Sequence, residues 1–320
     1  YTGTNNQVTQ DLRLTSRGSG PFNFIAGAYY QHEDIYNSTE NQFFAGTDNN
    51  LDGTVDYQDC VDSPPSGFVA CVFHNQFDQL RNSWALYTDD SYALTDQLKL
   101  RAGLRYNHDK ATQKNAYAQL RGVDGVVIAN IIPGSTTDLY ATARQDITNV
   151  AWTGRAGIDY TPAPDLLLYV NYSRGYRSGA FNAQFFFSPS EFDSVQPETV
   201  DSIEGGIKST WLNGKLQADG AVFHYVYKNQ QLIDVQSTGL QPLINIPESK
   251  MTGAELELVA RPLSVLTVRG GLGLLDGKFT DGAINNGTVS IVDNKLPNAP
   301  STSATLAADW DAYRGDRLVF

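Results

Sequence analysis

Oxygen-bearing side chains at regular spacing are the first feature of this sequence that could do chemistry. Counted from Asp48, such side chains stand at positions 1, 3, 5, 9 and 12 and a glycine at position 6, and the candidate ligands are Asp48, Asn50, Asp52, Thr54, Asp56 and Asp59. Ca²⁺ takes about six to eight oxygen ligands, and the position-7 carbonyl, here that of Thr54, faces the ion. The spacing predicts a structural calcium site, and a solvated turn cluster of Asp, Asn and Gly is the alternative.

The same segment resembles an EF-hand or dockerin-type loop, with Asp in place of Glu at its last position and without the flanking helices. Cys60 and Cys71 follow and are the two cysteines of the chain. Two cysteines this close in a secreted loop favour a disulfide, which would stabilise a ring of this size by about 3 kcal/mol in the chain-entropy description. A metal pair or reactive thiols are the alternative, with His74 as the one nearby histidine.

The remaining titratable residues do not form a catalytic arrangement in the sequence. Glu255 and Glu257 stand two residues apart on one predicted strand, so both carboxylates are solvated and point the same way without a cleft. His32, His108 and His224 lie far apart, which fits scattered structural histidines. Motifs of serine hydrolases, zinc peptidases and phosphate-binding loops are missing. We predict that the protein is not an enzyme and holds no catalytic cofactor.

Charge and hydropathy limit the partners of the chain. The 320 residues carry a formal net charge of -12, which argues against nucleic acid, because a phosphate backbone needs Lys and Arg on one face. No stretch approaches the length of about 18 consecutive apolar residues that a membrane-spanning helix needs. Spanning β-strands are compatible with the mean hydropathy of -0.33, because such strands alternate apolar with polar residues.

Strands that alternate apolar and polar residues supply the framework. From Leu98 to Tyr106 the even-numbered residues are apolar, and charged residues such as Lys99 and Arg101 stand between them. About eleven such strands and the start of a twelfth are predicted, most of them about 10–14 residues long, which is enough to cross an outer membrane at a tilt of about 40°. Arg174 interrupts one apolar row and is predicted to extend its charge to the head-group level.

Short and long connections alternate along the chain. Turn sequences such as 18–21, 162–165 and 213–214 indicate tight hairpins, and long polar loops are predicted at about 35–80, 110–147, 177–196, 228–249 and 278–300. In an up-and-down meander this alternation puts all tight turns at one end and all long loops at the other, as in transmembrane β-barrels. Aromatic residues near strand ends suit an interfacial girdle, with simple β-propensity as the alternative: Tyr106, Trp152, Tyr160, Tyr176, Trp211 and Trp310.

Several stretches together resemble the barrel of TonB-dependent receptors, the active-uptake proteins of Gram-negative outer membranes. In chain order they are 10–16 (QDLRLTS), 98–106 (LKLRAGLRY), 172–182 (YSRGYRSGAFN), 197–200 (PETV), 205–208 (GGIK), 253–257 (GAELE) and 296–300 (LPNAP). The resemblance implies an all-β, antiparallel up-and-down transmembrane β-barrel of about 22 strands with a globular plug, of which this chain supplies about 11–12 strands. It further implies that residues 1–320 are a partial barrel domain, without the plug, the first strands and the last strands.

The resemblance also implies a function and its partners. It indicates an outer-membrane receptor for ligand-gated active uptake, with a ferric siderophore or other iron complex as the default ligand. The implied partners are the lipid bilayer with lipopolysaccharide, the ligand, and the TonB complex through an N-terminal segment missing here. Candidate ligand contacts, chosen for their loop positions, are Tyr36, Phe43, Phe44, Phe181, Phe185, Phe186 and Phe187. A passive porin-type channel and a secreted calcium-dependent carbohydrate-binding or glycan-hydrolysing β-protein are the alternatives.

Overall fold

The computed structural model describes residues 1–42, 52–54, 72–121, 127–135, 137–182, 188–237 and 240–311. Within these ranges the chain is almost entirely strand, with one short 3-10 helix, η1 (Pro189–Glu191). The strands are β1 (Thr2–Thr15), β2 (Phe22–Gln42), β3 (Val72–Ala93), β4 (Leu98–Arg121), β5 (Val127–Ile132), β6 (Ala143–Ala163), β7 (Leu166–Arg177), β8 (Ala180–Phe181), β9 (Ser194–Val195), β10 (Glu198–Trp211), β11 (Leu216–Ile233), β12 (Leu243–Leu263), β13 (Leu266–Asp281), β14 (Ala283–Ile284), β15 (Val289–Ser290) and β16 (Thr302–Trp310).

The long strands form one antiparallel sheet in the order β1-β2-β3-β4-β6-β7-β10-β11-β12-β13-β16. β5 pairs with β4, while β8–β9 and β14–β15 form two small separate sheets. The connections at 16–21, 94–97, 164–165, 212–215 and 264–265 are short and lie at one end of the sheet, and the long connections lie at the other. The predicted all-β meander with alternating connections is therefore confirmed. In the part of the chain that the structure describes, no helix is long and apolar enough to cross a membrane, a finding that concerns helices alone.

The strand register gives the sheet one apolar and one polar face. Leu100 lies opposite Ile158 across the β4–β6 ladder, and Leu256 lies opposite Leu272 across the β12–β13 ladder. These four residues keep between 38% and 50% of their surface exposed, so no second layer of protein covers them. An apolar face of this extent is removed from water only where lipid covers it.

Aromatic rings border the apolar face at both ends. Trp84, Tyr106 and Trp152 on adjacent strands contact one another in series, with ring centroids 5.3 and 5.0 Å apart. Tyr160 and Trp211 lie at the short-turn end and are 43% and 51% exposed. Trp152 and Tyr160 are separated along β6 by about 20 Å of membrane height, at about 3.3 Å per residue and a tilt of about 40°. The two rows therefore frame an apolar band close to that of an outer-membrane barrel.

The strands continue further than the sequence analysis predicted. β2 and β3 are paired along their whole facing length, beginning with Gln42 opposite Val72, so the two ends of the predicted loop 35–80 are strands. These ends are called the arms of β2 and β3. In the same way β4 and β6 enter the predicted loop 110–147, β11 and β12 enter 228–249, and the small sheets lie within 177–196 and 278–300. The prediction of these loop boundaries was wrong because the arms rise above the apolar band. Both of their faces carry polar residues there, and the apolar alternation that marks a spanning strand is lost.

Two small apolar cores form where the long connections fold together. The first contains Phe73, Phe77, Ala116, Ala118 and Ile132, with Phe192 of the β7–β10 connection packed against it. The second contains Ile246, Phe279, Ile291 and Leu296. The cores fix the external ends of the strands and thereby hold the polar groups above the membrane band in place.

Candidate functional site

Ionic pairs on the polar face of the sheet join strands to one another. Arg101 of β4 donates to Asp159 of β6 at 2.6 Å. Arg155 of β6 reaches past β4 to Asp89 of β3, also at 2.6 Å. On β4, Gly103 lies beneath this second pair, and a Cβ there would be 3.3 Å from the Asp89 carboxylate and 3.4 Å from Cγ of Arg155. Because Gly103 has no side chain, Arg155 and Asp89 can contact each other across β4.

A cavity of about 560 Å³ lies beside these pairs on the polar face of β1–β7. Arg13 donates through Nε to Asp11 at 2.9 Å and to the hydroxyl of Tyr87 at 3.1 Å. The Arg105 guanidinium lies over the rings of Tyr29 and Tyr87, 5.2 and 5.4 Å from their centroids. Asp11 and Asp89 lie in the same lining and pair with Arg13 and Arg155. Arg105 forms no ion pair among the described residues, and with the phenol groups it offers donors to an oxygen-rich small molecule.

Two glycines let aromatic rings lie flat on the polar face. Gly206 is the register partner of Tyr169, and a Cβ at position 206 would meet the phenol at 2.5–2.7 Å. Held in this way, Tyr169 donates to Glu204 at 2.8 Å. Gly27 and Tyr87 form a second such pair, in which the ring covers the glycine. Pairing a strand glycine with a cross-strand ring supplies packing that glycine itself lacks.

The polar face of β10–β12 differs in charge from that of β1–β7. It carries Glu204, Glu255 and Glu257, and Asp219 lies opposite both Glu257 and Lys208 in the register. None of these four carboxylates forms an ion pair within the described residues. Arginines and aspartates are paired on the β1–β7 side, so uncompensated negative charge collects on the β10–β12 side.

A buried carboxylate joins two of the external connections. Glu191 is 1% exposed and accepts hydrogen bonds from the backbone N–H groups of Ser188 at 3.0 Å and Gln241 at 2.7 Å. Asn182 donates to the carbonyl of Gln241 at 3.0 Å. Because Asn182, Ser188 and Glu191 lie between β7 and β10, and Gln241 lies between β11 and β12, this Glu191 clasp fixes the two loops against each other.

A histidine lies in the wall that rises above the apolar band. His74 of β3 is hydrogen-bonded through Nε2 to Oγ of Ser38 at 2.9 Å, and its ring meets that of Tyr117 edge-on at 5.3 Å. Burial, and after it the charge of Arg121, hold the pKa of His74 below its usual value. Burial likewise raises the pKa of the Tyr117 phenol. This cluster is therefore uncharged at neutral pH.

Arg174, the exception on an apolar row, has a counter-charge beside it. Its guanidinium pairs with Asp201 at 3.2 Å, and the hydroxyl of Tyr172 donates to the same carboxylate at 2.6 Å. The register places Arg174 directly opposite Asp201 across the β7–β10 ladder. The local sequence did not show this partner, because Asp201 lies on the next strand. That Arg174 extends its charge to the head-group level stays a prediction.

Most of the predicted site residues lie outside the described residues: Asp48, Asn50, Asp56, Asp59, Cys60, Cys71, Phe43, Phe44, Phe185, Phe186 and Phe187. Of the predicted calcium ligands, the structure describes Asp52 and Thr54. The Asp52 carboxylate accepts from the backbone N–H and the hydroxyl of Thr54 at 2.8 and 2.6 Å, a local turn that both interpretations of the segment share. No cluster of three or more His, Cys, Asp or Glu side chains suited to a metal occurs in the described ranges.

Two of the predicted ligand contacts can be placed. Tyr36 lies on β2 and donates to the side chain of Gln76 at 3.2 Å. Its register places it on the face of His74 and Ser38, opposite the face that packs in the first apolar core. Phe181 lies in β8 and is 4% exposed. The structure does not bring these two residues into contact, and their role in ligand binding stays a prediction.

The sequence analysis missed the Glu191 clasp and the pair formed by Arg155 and Asp89. Ser188 and Glu191 fit the capping pattern Ser-x-x-Glu, in which the glutamate reaches back to the N–H of the serine, and this signal could have predicted half of the clasp. The pair across Gly103 has no local signal, because its members lie on strands that are not adjacent.

Comparisons with known proteins agree with this architecture. A family profile described as "TonB dependent receptor-like, beta-barrel" matches residues 1–319. The chain is 26% identical over 246 residues to the probable TonB-dependent receptor BfrD of Bordetella pertussis. The aligned region covers 75% of this chain and 29% of BfrD.

Solved structures show the same fold. The ferric yersiniabactin uptake receptor FyuA from Yersinia pestis matches with a TM-score of 0.70 and 17% identity, over 96% of this chain and 40% of FyuA. The siderophore receptor PiuA from Acinetobacter baumannii matches with a TM-score of 0.69 and 21% identity, over 97% of this chain and 44% of PiuA. The chain thus spans less than half the length of each of these proteins.

Proposed function

The chain belongs to the TonB-dependent receptor-like β-barrel family, and from that membership we propose that it is part of a receptor for ligand-gated active uptake. Barrels of this family are outer-membrane proteins of Gram-negative bacteria, so the apolar face is the lipid-facing wall and the polar face lines the lumen. The division of one long meander into these two faces is the observation that supports the proposal most directly.

We propose a ferric siderophore or another iron complex as the ligand. FyuA is a ferric yersiniabactin uptake receptor, and PiuA is a siderophore receptor. The lumenal cavity would offer an oxygen-rich ligand the Arg105 guanidinium and the hydroxyl of Tyr87, beside the paired Arg13 and Asp11. The Glu191 clasp sets two external loops in a fixed relation from which they could close over such a ligand. Coupling to the TonB complex and the absence of catalysis belong to the same proposal.

Uptake of radiolabelled ferric complexes tests this function. Cells would carry the gene of the full-length protein as their single outer-membrane iron receptor and would be offered hydroxamate, catecholate and mixed-ligand siderophores. We expect saturable accumulation of at least one complex, which disappears in a strain without TonB. Glu191→Ala should reduce uptake because it frees both loops, and Lys110→Gln on the outer face of β4 is the matched control. Uptake that does not saturate and does not need TonB would show a passive porin instead.

We also propose a calcium ion at Asp48, Asn50, Asp52, Thr54, Asp56 and Asp59, and a disulfide between Cys60 and Cys71. Both proposals rest on the sequence spacing. Together the two features would stiffen the connection between β2 and β3. Proteolysis of this connection should accelerate on addition of a calcium chelator, and thiol labelling should require a reductant. A cleavage rate that is insensitive to chelation, or thiols that label without reductant, would contradict the respective proposal.

A further inference from the structure

A second buried carboxylate joins another pair of external connections. Asp234, directly after β11, is 4% exposed and accepts hydrogen bonds from the backbone N–H of Asn285 at 2.7 Å and from the side chain of Gln236 at 3.1 Å. Asn285 lies between β14 and β15, in the connection from β13 to β16. Within the described residues Asp234 forms no ion pair, so neutral N–H donors solvate its carboxylate. We call this contact the Asp234 clasp.

The Glu191 clasp and the Asp234 clasp hold one hairpin from its two sides. This central hairpin joins β11 to β12, and its described residues are 234–237 and 240–242. The N–H of Asp234 donates to the carbonyl of Pro242 at 2.9 Å, so the two limbs are bonded together at the base. Glu191 binds the limb of Gln241 from the β7–β10 connection, and Asp234 binds the β13–β16 connection. A displacement of either limb therefore strains both clasps.

Each of the two outer connections is anchored in one of the apolar cores. Phe192, next to Glu191 in the chain, packs against the first core, and its carbonyl accepts from the side chain of Gln145 of β6 at 2.6 Å. Ile284, next to Asn285, packs against the second core. Contacts therefore run without a break from the first core, through the two clasps and the central hairpin, to the second core.

Partial opening of this chain of contacts is unfavourable. If the central hairpin left one clasp alone, a buried carboxylate and its N–H partners would lose their hydrogen bonds without gaining full access to water. Opening of all three connections at once instead brings the same groups into water, where they find new partners. The two buried carboxylates thus favour opening that is all-or-none.

We propose that the β7–β10, β11–β12 and β13–β16 connections form one cooperative unit that opens and closes as a whole, with the central hairpin as its coupling element. A molecule that contacts one connection then changes the opening of the other two by the same free energy, because the three share a single equilibrium. Three loops that move independently are the alternative. The coupling goes beyond the proposed uptake, holds for any ligand, and is unaffected by failure of the uptake experiment.

Amide hydrogen exchange of the full-length protein in lipid vesicles, followed by mass spectrometry, tests the coupling. Asp234→Ala removes the acceptor of the Asn285 N–H, a hydrogen bond to a charged group. Protection factors should fall about 10-fold, which corresponds to about 1.4 kcal/mol, in all three connections and not only beside Asn285. Glu191→Ala should also give a uniform fall, which includes the Asn285 amide on the far side of the central hairpin.

Matched variants separate the cooperative unit from a general loss of charge. Glu248→Ala removes a carboxylate of β12 whose partners are the side chains of Lys250 at 2.9 Å and Thr280 at 2.8 Å, so it should leave the protection of all three connections unchanged. Asp234→Asn keeps an oxygen acceptor for the Asn285 N–H and should lower protection less than Asp234→Ala. Heat-modifiable migration on gels shows that each barrel is folded. A fall confined to the connections that the altered clasp joins, no fall at all, or an equal fall in Glu248→Ala would overturn the proposal.

Discussion

Arginine in place of Leu256 should reveal which face of the sheet meets lipid. Leu256 lies four residues from Thr252, where the apolar row of β12 ends toward the loops, and four from Ala260 near the short-turn end. At about 3.3 Å per residue and a tilt of about 40°, each edge of the apolar band is about 10 Å away, so Leu256 lies near the membrane midplane. A lipid-facing arginine at that depth costs about 2–4 kcal/mol, which lowers the ratio of folded to unfolded protein about 30- to 1000-fold.

The neighbouring residue provides the control, because Glu257 points into the lumen beside Asp219. Glu257→Arg should change the free energy of unfolding by less than about 1 kcal/mol, since both side chains are solvated there. Thr252→Arg, at the loop-side end of the apolar row, should also cost little. The assay is urea unfolding of the full-length protein in lipid vesicles, followed by heat-modifiable gel mobility. Equal losses for Leu256→Arg and Glu257→Arg would refute the assignment of the two faces.

Three further changes test particular contacts. Glu191→Ala removes the acceptor of two backbone N–H groups, and a hydrogen bond to a charged group is worth about 1.5–3 kcal/mol. Proteolysis of both clasped loops should therefore become faster, and an unchanged cleavage rate would contradict the clasp. Burial lowers the pKa of His74 in the folded state, so the unfolded state binds more protons below pH of about 6.5. The amide protection factors of the β2 and β3 arms, which are corrected for the intrinsic slowing of exchange at low pH, should therefore fall as the pH drops from about 7 to 5. In His74→Gln this fall should disappear. Gly206→Val should displace Tyr169 from its position, which fluorescence of a single-tyrosine reporter variant would detect, whereas an unmoved ring would show that the glycine is not required.

The local sequence was sufficient to predict the membrane-spanning strands. It was insufficient to predict the strand arms and connections on the loop side of the apolar band. Leu98 to Tyr106 alternates because one side meets lipid and the other meets charged neighbours, and this periodicity is visible in a single strand. The arms of β2 and β3 were not predicted as strands, because they carry polar residues on both faces and so lack the apolar alternation. A bulge at Asn115, with φ of 52°, shifts the β3–β4 register near Gln76 and Asp78. No pattern of residue types in the sequence predicted this bulge.

The contacts that make the site depend on register between distant segments. Arg174 finds Asp201, and Lys250 meets Lys278, only when the ladders place them opposite each other. Sequence analysis listed these residues as isolated charges or passed over them. Glu191 is partly predictable through its capping pattern with Ser188, but its bond to Gln241 spans fifty residues and requires the two connections to meet.

The unequal distribution of charge on the polar face has an electrostatic consequence. Because Glu204, Glu255 and Glu257 lack cationic partners in the described ion pairs while Arg101 and Arg155 are matched by aspartates, the potential on this face becomes more negative from β4 toward β12. A dipolar molecule that approaches the face is turned so that its positive end points toward β10–β12. The effect weakens as salt is added.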